Sequence, residues 1–136
     1  MRRALKVALV VFVVPALRGL SAADVPLPHL EARAWASDPG RILLIGNSHI
    51  FMNDLPAMLS RLAESADIAC SCGQAAYSSY ELAQHAVDSR TLSCIAEKPW
   101  DIVVLQERTT VLLTRVADFT KPAVLALSEA AAVVGG

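Results

Sequence analysis

The sequence has little net charge and no run of basic residues. Its 136 residues include 12 lysines and arginines against 13 aspartates and glutamates, a formal net charge of −1, and the two signs are interspersed along the chain. Proteins that bind nucleic acids or anionic membranes concentrate basic side chains on one face or in one run. We therefore expect no nucleic-acid partner, and a small or neutral ligand fits the composition better.

The sequence also lacks the residue spacings that are typical of metal-binding sites. The three cysteines and three histidines do not show the two-residue spacings that are typical of zinc sites. Cys70 and Cys72 are separated by one residue of a predicted strand, and we expect them to point to opposite faces and not to pair with each other. Two alternatives stay open: a disulfide from one of them to Cys94, or three unpaired thiols that pack as small apolar side chains.

The apolar run at the amino terminus is short for a membrane span. Arg2, Arg3 and Lys6 come before about eleven apolar residues at positions 7–17, and small residues follow at positions 21–23. A span needs about 20 apolar residues, whereas a signal peptide needs roughly 7–15. We predict that residues 1–23 are a secretory signal peptide and that the mature protein is secreted or periplasmic, without a stable membrane span. An uncleaved membrane anchor is the alternative.

Strand and helix patterns alternate after a proline-punctuated leader at residues 24–40. Three strands and three helices are predicted, in the order β-α-β-α-β-α, at residues 41–45, 54–65, 68–72, 80–96, 100–105 and 122–134. This alternation predicts an α/β domain over residues 41–136, with a parallel sheet and helices on both faces. Three parallel strands make a narrow sheet, so we expect the chain to hold only the first half of a larger fold.

The most informative segment connects the first strand to the first helix. The apolar residues 42–45 end in Gly46-Asn47-Ser48, which places a serine at the carboxyl edge of a parallel sheet, where open α/β folds bind ligands. Such a serine acts as a nucleophile when a base lies within reach. The α/β-hydrolase motif is excluded because it needs glycine at the position of Ile50. A plain polar turn after a buried strand is the alternative.

Three segments resemble sequence blocks of the SGNH, or GDSL-type, hydrolases. Residues 42–56 resemble the first block, in the branch that reads Gly-Asn-Ser, and residues 82–85 and 100–107 resemble the second and third blocks. The resemblance implies a three-layer, flavodoxin-like fold with Ser48 as a serine nucleophile. It also implies ester hydrolysis through an acyl-serine, with no metal or organic cofactor, on a small-molecule or carbohydrate ester such as an acetyl ester.

The same resemblance implies three donors to the oxyanion. The first is the backbone N–H of Ser48. The branch has a glycine where this sequence has Ser78-Ser79, so the N–H of Ser79 is the second, although serine has fewer accessible backbone conformations than glycine. The third is the side-chain amide of Gln106, with a hydrogen bond to a neighbouring loop as the alternative. Glu107 is expected either to orient Gln106 or another residue of the site, or to be an ordinary solvated acid.

The sequence offers no clear candidate for the general base of the site. The family takes its base from an Asp-x-x-His element near the carboxyl terminus, and no histidine follows Arg108 in this sequence. His29 lies in the leader, His49 adjoins Ser48 and is expected to diverge from it, and packing is the expected role of His85. Two hypotheses follow: a shortened secreted serine esterase, or a short exported binding or vestigial module without catalytic activity.

Overall fold

The computed structural model describes residues 6–9, 40–114 and 116–135, and the statements below concern those residues. The strands are β1 (Lys6–Leu9), β2 (Gly40–Gly46), β3 (Cys70–Ala76) and β4 (Ile102–Leu105). The helices are α1 (Ser48–Phe51), α2 (Leu55–Ser65), α3 (Leu82–His85), α4 (Ser89–Ala96), α5 (Thr109–Thr114) and α6 (Lys121–Gly135), with a π-helical turn at Val116–Thr120.

The four strands form one parallel sheet in the order β1-β4-β2-β3. Ile42 of β2 lies opposite Cys72 on one side and opposite Ile102 on the other. The second and third strands of the predicted domain therefore flank the first, an order that is compatible with part of a flavodoxin-like sheet. The predicted α/β class with a parallel sheet and helices is confirmed.

The edge strand β1 comes from the segment predicted as a signal peptide. Lys6 lies opposite Ile102 and Leu9 lies opposite Leu105. Cleavage at residues 22–23 stays a prediction, and most of the leader at residues 24–40 lies outside the described residues, apart from Gly40 at the start of β2. None of the described helices combines the length and the apolarity needed to cross a membrane.

The main hydrophobic core lies between one face of the sheet and helices α3, α4 and α6. Its members from the strands are Leu43, Ile45, Ala75, Val103 and Leu105, and its members from the helices are Leu82, Ile95, Ala123, Leu127 and Ala131. Trp100 closes this core at the start of β4, and its indole N–H donates to the carbonyl of Cys94 at 2.9 Å. Gly73 is required beside it, since a Cβ there would lie 2.7 Å from the indole.

The helix predicted at residues 54–65 is confirmed, and it packs along β3 on the other face of the sheet. Asp54 is its N-cap and accepts a hydrogen bond from the N–H of Ala57 at 3.4 Å, and Pro56 lies in the first turn. The apolar stripe of this helix is only partly covered, because Met58 is 49% and Leu62 is 67% exposed.

Three predicted boundaries are wrong. The helix expected at residues 80–96 is two helices, because the carboxylate of Asp88 caps α4 by accepting from the N–H of Arg90 at 2.8 Å. The first of these helices begins at Leu82, two residues later than predicted, where Glu81 and Gln84 form a capping box in which the N–H of Glu81 donates to the Gln84 side chain at 2.9 Å. The second strand begins later than predicted and continues to Ala76, because its pairing with β2 extends to Gly46.

The expected orientation of two cysteines is also wrong. The sulfur atoms of Cys70 and Cys72 lie 3.6 Å apart on the same face of β3, because side chains alternate along a strand and residues two apart share a face. Cys94 on α4 packs against the core on the opposite face, so a bridge from Cys70 or Cys72 to Cys94 would have to cross the sheet. All three thiols are unpaired.

Candidate functional site

The carboxyl ends of β2, β3 and β4 form one edge of the sheet. Ile45 lies opposite Leu105, and Gly46 lies opposite Ala76. The turn that carries Ser48, the loop after β3 and the residues Gln106 and Glu107 therefore meet at this edge. Open α/β sheets bind ligands at this end of their strands.

The turn between β2 and α1 is held by hydrogen bonds from three directions. Asn47 is buried, and its N–H donates to the side-chain oxygen of Gln106 at 3.0 Å. Its side-chain amide donates to the carbonyl of Tyr80 at 3.2 Å, and its side-chain oxygen accepts from the N–H of His49 at 3.3 Å. Asn47 is thus the N-cap of α1 and fixes the position of the next residue, Ser48.

Ser48 is the first residue of α1, and its side chain is half-buried. Within the described part of the chain its hydroxyl has no hydrogen-bond partner. Its backbone N–H has no acceptor inside the helix, as is general for the first turn of a helix. Within the described residues the hydroxyl and the N–H of Ser48 are therefore both available to a ligand, on a turn that Asn47 holds in place.

Gly46 allows the turn to approach Gln106 closely. A Cβ at this position would lie 2.5 Å from the side-chain oxygen of Gln106, 2.8 Å from Cδ1 of Ile50 and 2.9 Å from the carbonyl oxygen of Gln106. Real Cβ contacts are not this short, so any larger residue would displace the turn. Close packing against Gln106 and Ile50 therefore explains why glycine is needed at position 46.

Gln106 is buried and lies beneath the turn. Its side-chain oxygen accepts from the N–H of Asn47 at 3.0 Å, and its side-chain nitrogen donates to the carbonyl of Glu107 at 2.5 Å. Both ends of the amide therefore bond to backbone, which is the alternative considered above for this residue. Its role as an oxyanion donor stays a prediction.

Glu107 is a buried acid, so the alternative that it is an ordinary solvated acid is wrong. Its carboxylate accepts from the N–H of Leu82 at 3.1 Å, from the N–H of Arg108 at 2.7 Å and from the hydroxyl of Thr120 at 3.1 Å. It thereby connects the end of β4 to the start of α3 and to the π-helical turn. The sequence carries no local signal for this role, because the partners lie 13 and 25 residues away.

His85 is fully buried beneath the same turn and packs, as expected from the sequence. Its Nε2 lies 2.8 Å from the carbonyl oxygen of Gly46, and its Nδ1 lies 2.8 Å from the hydroxyl of Thr91. A carbonyl only accepts, so Nε2 carries the proton and Nδ1 accepts from Thr91. Burial lowers the pKa of the imidazole and favours this neutral form.

The loop after β3 places Ser79 next to this turn. Tyr77 donates its N–H to the carbonyl of Gly46 at 3.1 Å, and Tyr80 closes a four-residue turn by donating to the carbonyl of Tyr77 at 3.2 Å. Ser79, the third residue of that turn, has a φ of 60°, which glycine adopts far more readily than serine. Ser79 thus has a left-handed backbone conformation, in the segment where the Gly-Asn-Ser branch of the SGNH hydrolases has glycine.

No general base is placed at Ser48 within the described residues. Both ring nitrogens of His85 are engaged with Gly46 and Thr91. His49 is exposed, and its ring makes no hydrogen bond to Ser48. His29 lies outside the described residues. The described part also contains no cluster of three or more His, Cys, Asp or Glu side chains that could hold a metal ion.

Comparison of the chain with protein-family models, with curated proteins and with solved structures found no match.

Proposed function

We propose that this protein is an SGNH-type serine hydrolase that cleaves carboxylic esters through an acyl-enzyme on Ser48, on a flavodoxin-like scaffold. The observation that carries the proposal is the half-buried hydroxyl of Ser48, unbonded within the described residues, at the carboxyl end of β2. This hydroxyl lies on a turn that Asn47, His85 and Gln106 hold in place. Such preorganisation is what a nucleophile needs and a simple polar turn does not.

In the proposed reaction, the Ser48 oxygen attacks the ester carbonyl, and the bond from that carbon to the alcohol oxygen breaks. The serine proton passes to solvent, the alcohol leaves as its anion or takes a proton from solvent, and water then releases the acid. The N–H groups of Ser48 and Ser79 are the proposed donors to the oxyanion. Such donors are worth about 3–4 kcal/mol each in transition-state stabilisation. A small-molecule or carbohydrate ester, such as an acetyl ester, is the proposed substrate class.

Activated esters are expected to react best. The described residues offer Ser48 no proton acceptor, so its deprotonation falls to solvent, and a leaving group that needs no proton lowers the remaining barrier. p-Nitrophenyl acetate has such a leaving group. We expect a burst of about one p-nitrophenolate per protein, which rises with pH and is followed by slow turnover, because deacylation also lacks a base.

The test is the release of p-nitrophenolate by the folded full chain and by two variants. Ser48→Ala should abolish the burst. Ser60→Ala, on α2 and beside the amino-terminal end of β3, is the matched control and should leave the burst unchanged. An equal burst in wild type and Ser48→Ala would contradict the proposal.

A non-catalytic binding module is the second candidate. The bonding of His85 favours this candidate. Both of its ring nitrogens are hydrogen-bonded, to Gly46 and to Thr91, so neither can accept the proton of Ser48. This candidate predicts a folded protein that releases no p-nitrophenolate above the buffer rate at any pH from 7 to about 9. A burst that depends on Ser48 would rule it out.

Export is proposed on the amino-terminal pattern alone. Cleavage near residues 22–23 would remove β1, which pairs with β4, and would leave one edge of β4 open. Amino-terminal sequencing of the protein recovered from expressing cells tests this. A start at residue 23 or 24 is expected, whereas a start at Met1 would favour the uncleaved anchor.

A further inference from the structure

Cys70 and Cys72 form a thiol pair that is distinct from the Ser48 site. Their sulfur atoms lie 3.6 Å apart, which is van der Waals contact between sulfurs, and both side chains are half-buried. We propose that this pair is a reversible dithiol–disulfide site that reacts with small, neutral or cationic disulfides.

The backbone geometry allows the bond to form but makes it weak. Residues two apart in a strand have Cα atoms about 6.6 Å apart, close to the upper limit of about 6.8 Å for a disulfide. Within the described residues β3 pairs only with β2, so its start can pucker without breaking a second ladder. A disulfide closed under such strain is readily reduced again, which is the property of a reversible site rather than of a structural bridge.

A small disulfide can reach the pair from an open cavity. This cavity has a volume of about 470 Å³ between the end of α2 and the start of β3, and Cys70 is part of its wall. Glu64 and Asp67 also line it. Their carboxylates disfavour an anionic partner such as glutathione disulfide and favour a cationic one such as cystamine.

The reaction is two successive thiol–disulfide exchanges. One cysteine sulfur, as thiolate, attacks the small disulfide and expels one thiolate, which leaves a mixed disulfide on the protein. The second cysteine sulfur then attacks the first, expels the other half of the reagent as thiolate and closes the ring. The protein loses two protons and two electrons, which together are the mass of two hydrogen atoms, and the small disulfide gains them as two thiols.

The protonation state of Cys70 sets the pH dependence. Burial, together with the neighbouring Cys72 thiol, raises the pKa of Cys70 to about 11. The attacking species is the thiolate, so the exchange is expected to be slow at neutral pH and to accelerate about tenfold per pH unit as the thiolate fraction rises.

Cys94 provides a matched control. It lies on α4 and packs against the core on the opposite face of the sheet, so it shares the chemistry of a half-buried thiol but has no partner sulfur. Cys94→Ser should leave the reaction of the pair unchanged, whereas Cys70→Ser or Cys72→Ser should stop it at the mixed disulfide.

The experiment treats the full chain with cystamine at pH 7 and about pH 9, quenches with acid and reads the intact mass. Wild type and Cys94→Ser should each lose the mass of two hydrogen atoms at Cys70 and Cys72, and dithiothreitol should restore them. Peptide mapping of wild type should place the bridge within one peptide that contains Cys70 and Cys72, a result that does not depend on the folding of any variant. Glutathione disulfide should react more slowly than cystamine.

Two results would overturn the proposal. One is a wild-type protein that carries cysteamine on both sulfurs, or remains unreacted, at pH 9. The other is a bridge to Cys94 in the peptide map.

Discussion

The buried imidazole of His85 is expected to make the stability of the fold depend on pH. His85 donates from Nε2 to Gly46 and accepts at Nδ1 from Thr91, both at 2.8 Å. Its ring also lies against Tyr77, at 5.5 Å between ring centres, and against Tyr80, at 5.1 Å. Protonation would place a charge in this closed environment, and burial accordingly lowers the pKa of His85 in the folded state.

The sign of the effect follows from the two states of the chain. The unfolded histidine titrates near pH 6.5, and the folded one titrates lower. Below pH 6.5 the unfolded chain therefore binds a proton that the folded chain does not. The free energy of unfolding should fall as the pH drops, by up to about 1.4 kcal/mol per pH unit, until the folded pKa is reached.

The assay is chemical denaturation at pH 8, 6.5, 5.5 and 5, on wild type and two variants. His85→Gln keeps an amide donor for Gly46 but cannot be charged, so it should cost about 1–3 kcal/mol at pH 8 and show a shallower slope below pH 6.5. His49→Gln changes an exposed ring and should keep the wild-type slope. The hydrogen bond from Arg90 lowers the pKa of Asp88. Asp88 therefore changes the free energy of unfolding only below about pH 4.

A single comparison of the two pH dependences decides whether His85 is the group that takes up the proton. If wild type and His85→Gln lose stability with the same slope between pH 6.5 and 5, the proton taken up on unfolding belongs to another group.

Two further predictions concern the backbone around Ser48. Ser79→Gly should raise the free energy of unfolding by about 0.5–1 kcal/mol, because glycine adopts the φ of 60° without the Cβ clash; a loss of stability in urea denaturation would contradict this. Gly46→Ala should lower it by more than about 2 kcal/mol, because the added Cβ would lie 2.5 Å from the Gln106 side chain. Gly73→Ala is the comparison and should cost less, because its Cβ would meet only one atom within 3 Å, at 2.7 Å on the Trp100 indole, whereas the Cβ at position 46 would meet three. The reverse order would show that the Ser48 turn relaxes more easily than the core.

The alternation of strands and helices was predictable because it depends on local patterns. The apolar run before Gly46 and the helix after Asp54 carry their own start and stop signals, and both match the structure within one or two residues. The break at Asp88 was missed because an acid inside a helical pattern caps a new helix only when the chain turns there, which tertiary packing decides.

The site was predictable in position more than in detail. The resemblance to the SGNH blocks implies that Ser48 and Gln106 belong to one site, and the structure brings both to the same edge of the sheet. The role of Glu107 was not, since its partners Leu82 and Thr120 come from distant segments. The hydrogen bond between Gln106 and the Asn47 backbone likewise joins residues that are 59 positions apart in the sequence, so no local sequence pattern predicts it.

The central claim is that Ser48 accepts an acyl group, and the most direct measurement is the mass of the full chain after a short reaction with p-nitrophenyl acetate. We expect one added acetyl group, mapped by peptide sequencing to Ser48 and absent from Ser48→Ala. An acetyl group on lysine or on the amino terminus only, with Ser48 unmodified in a folded protein, would contradict it.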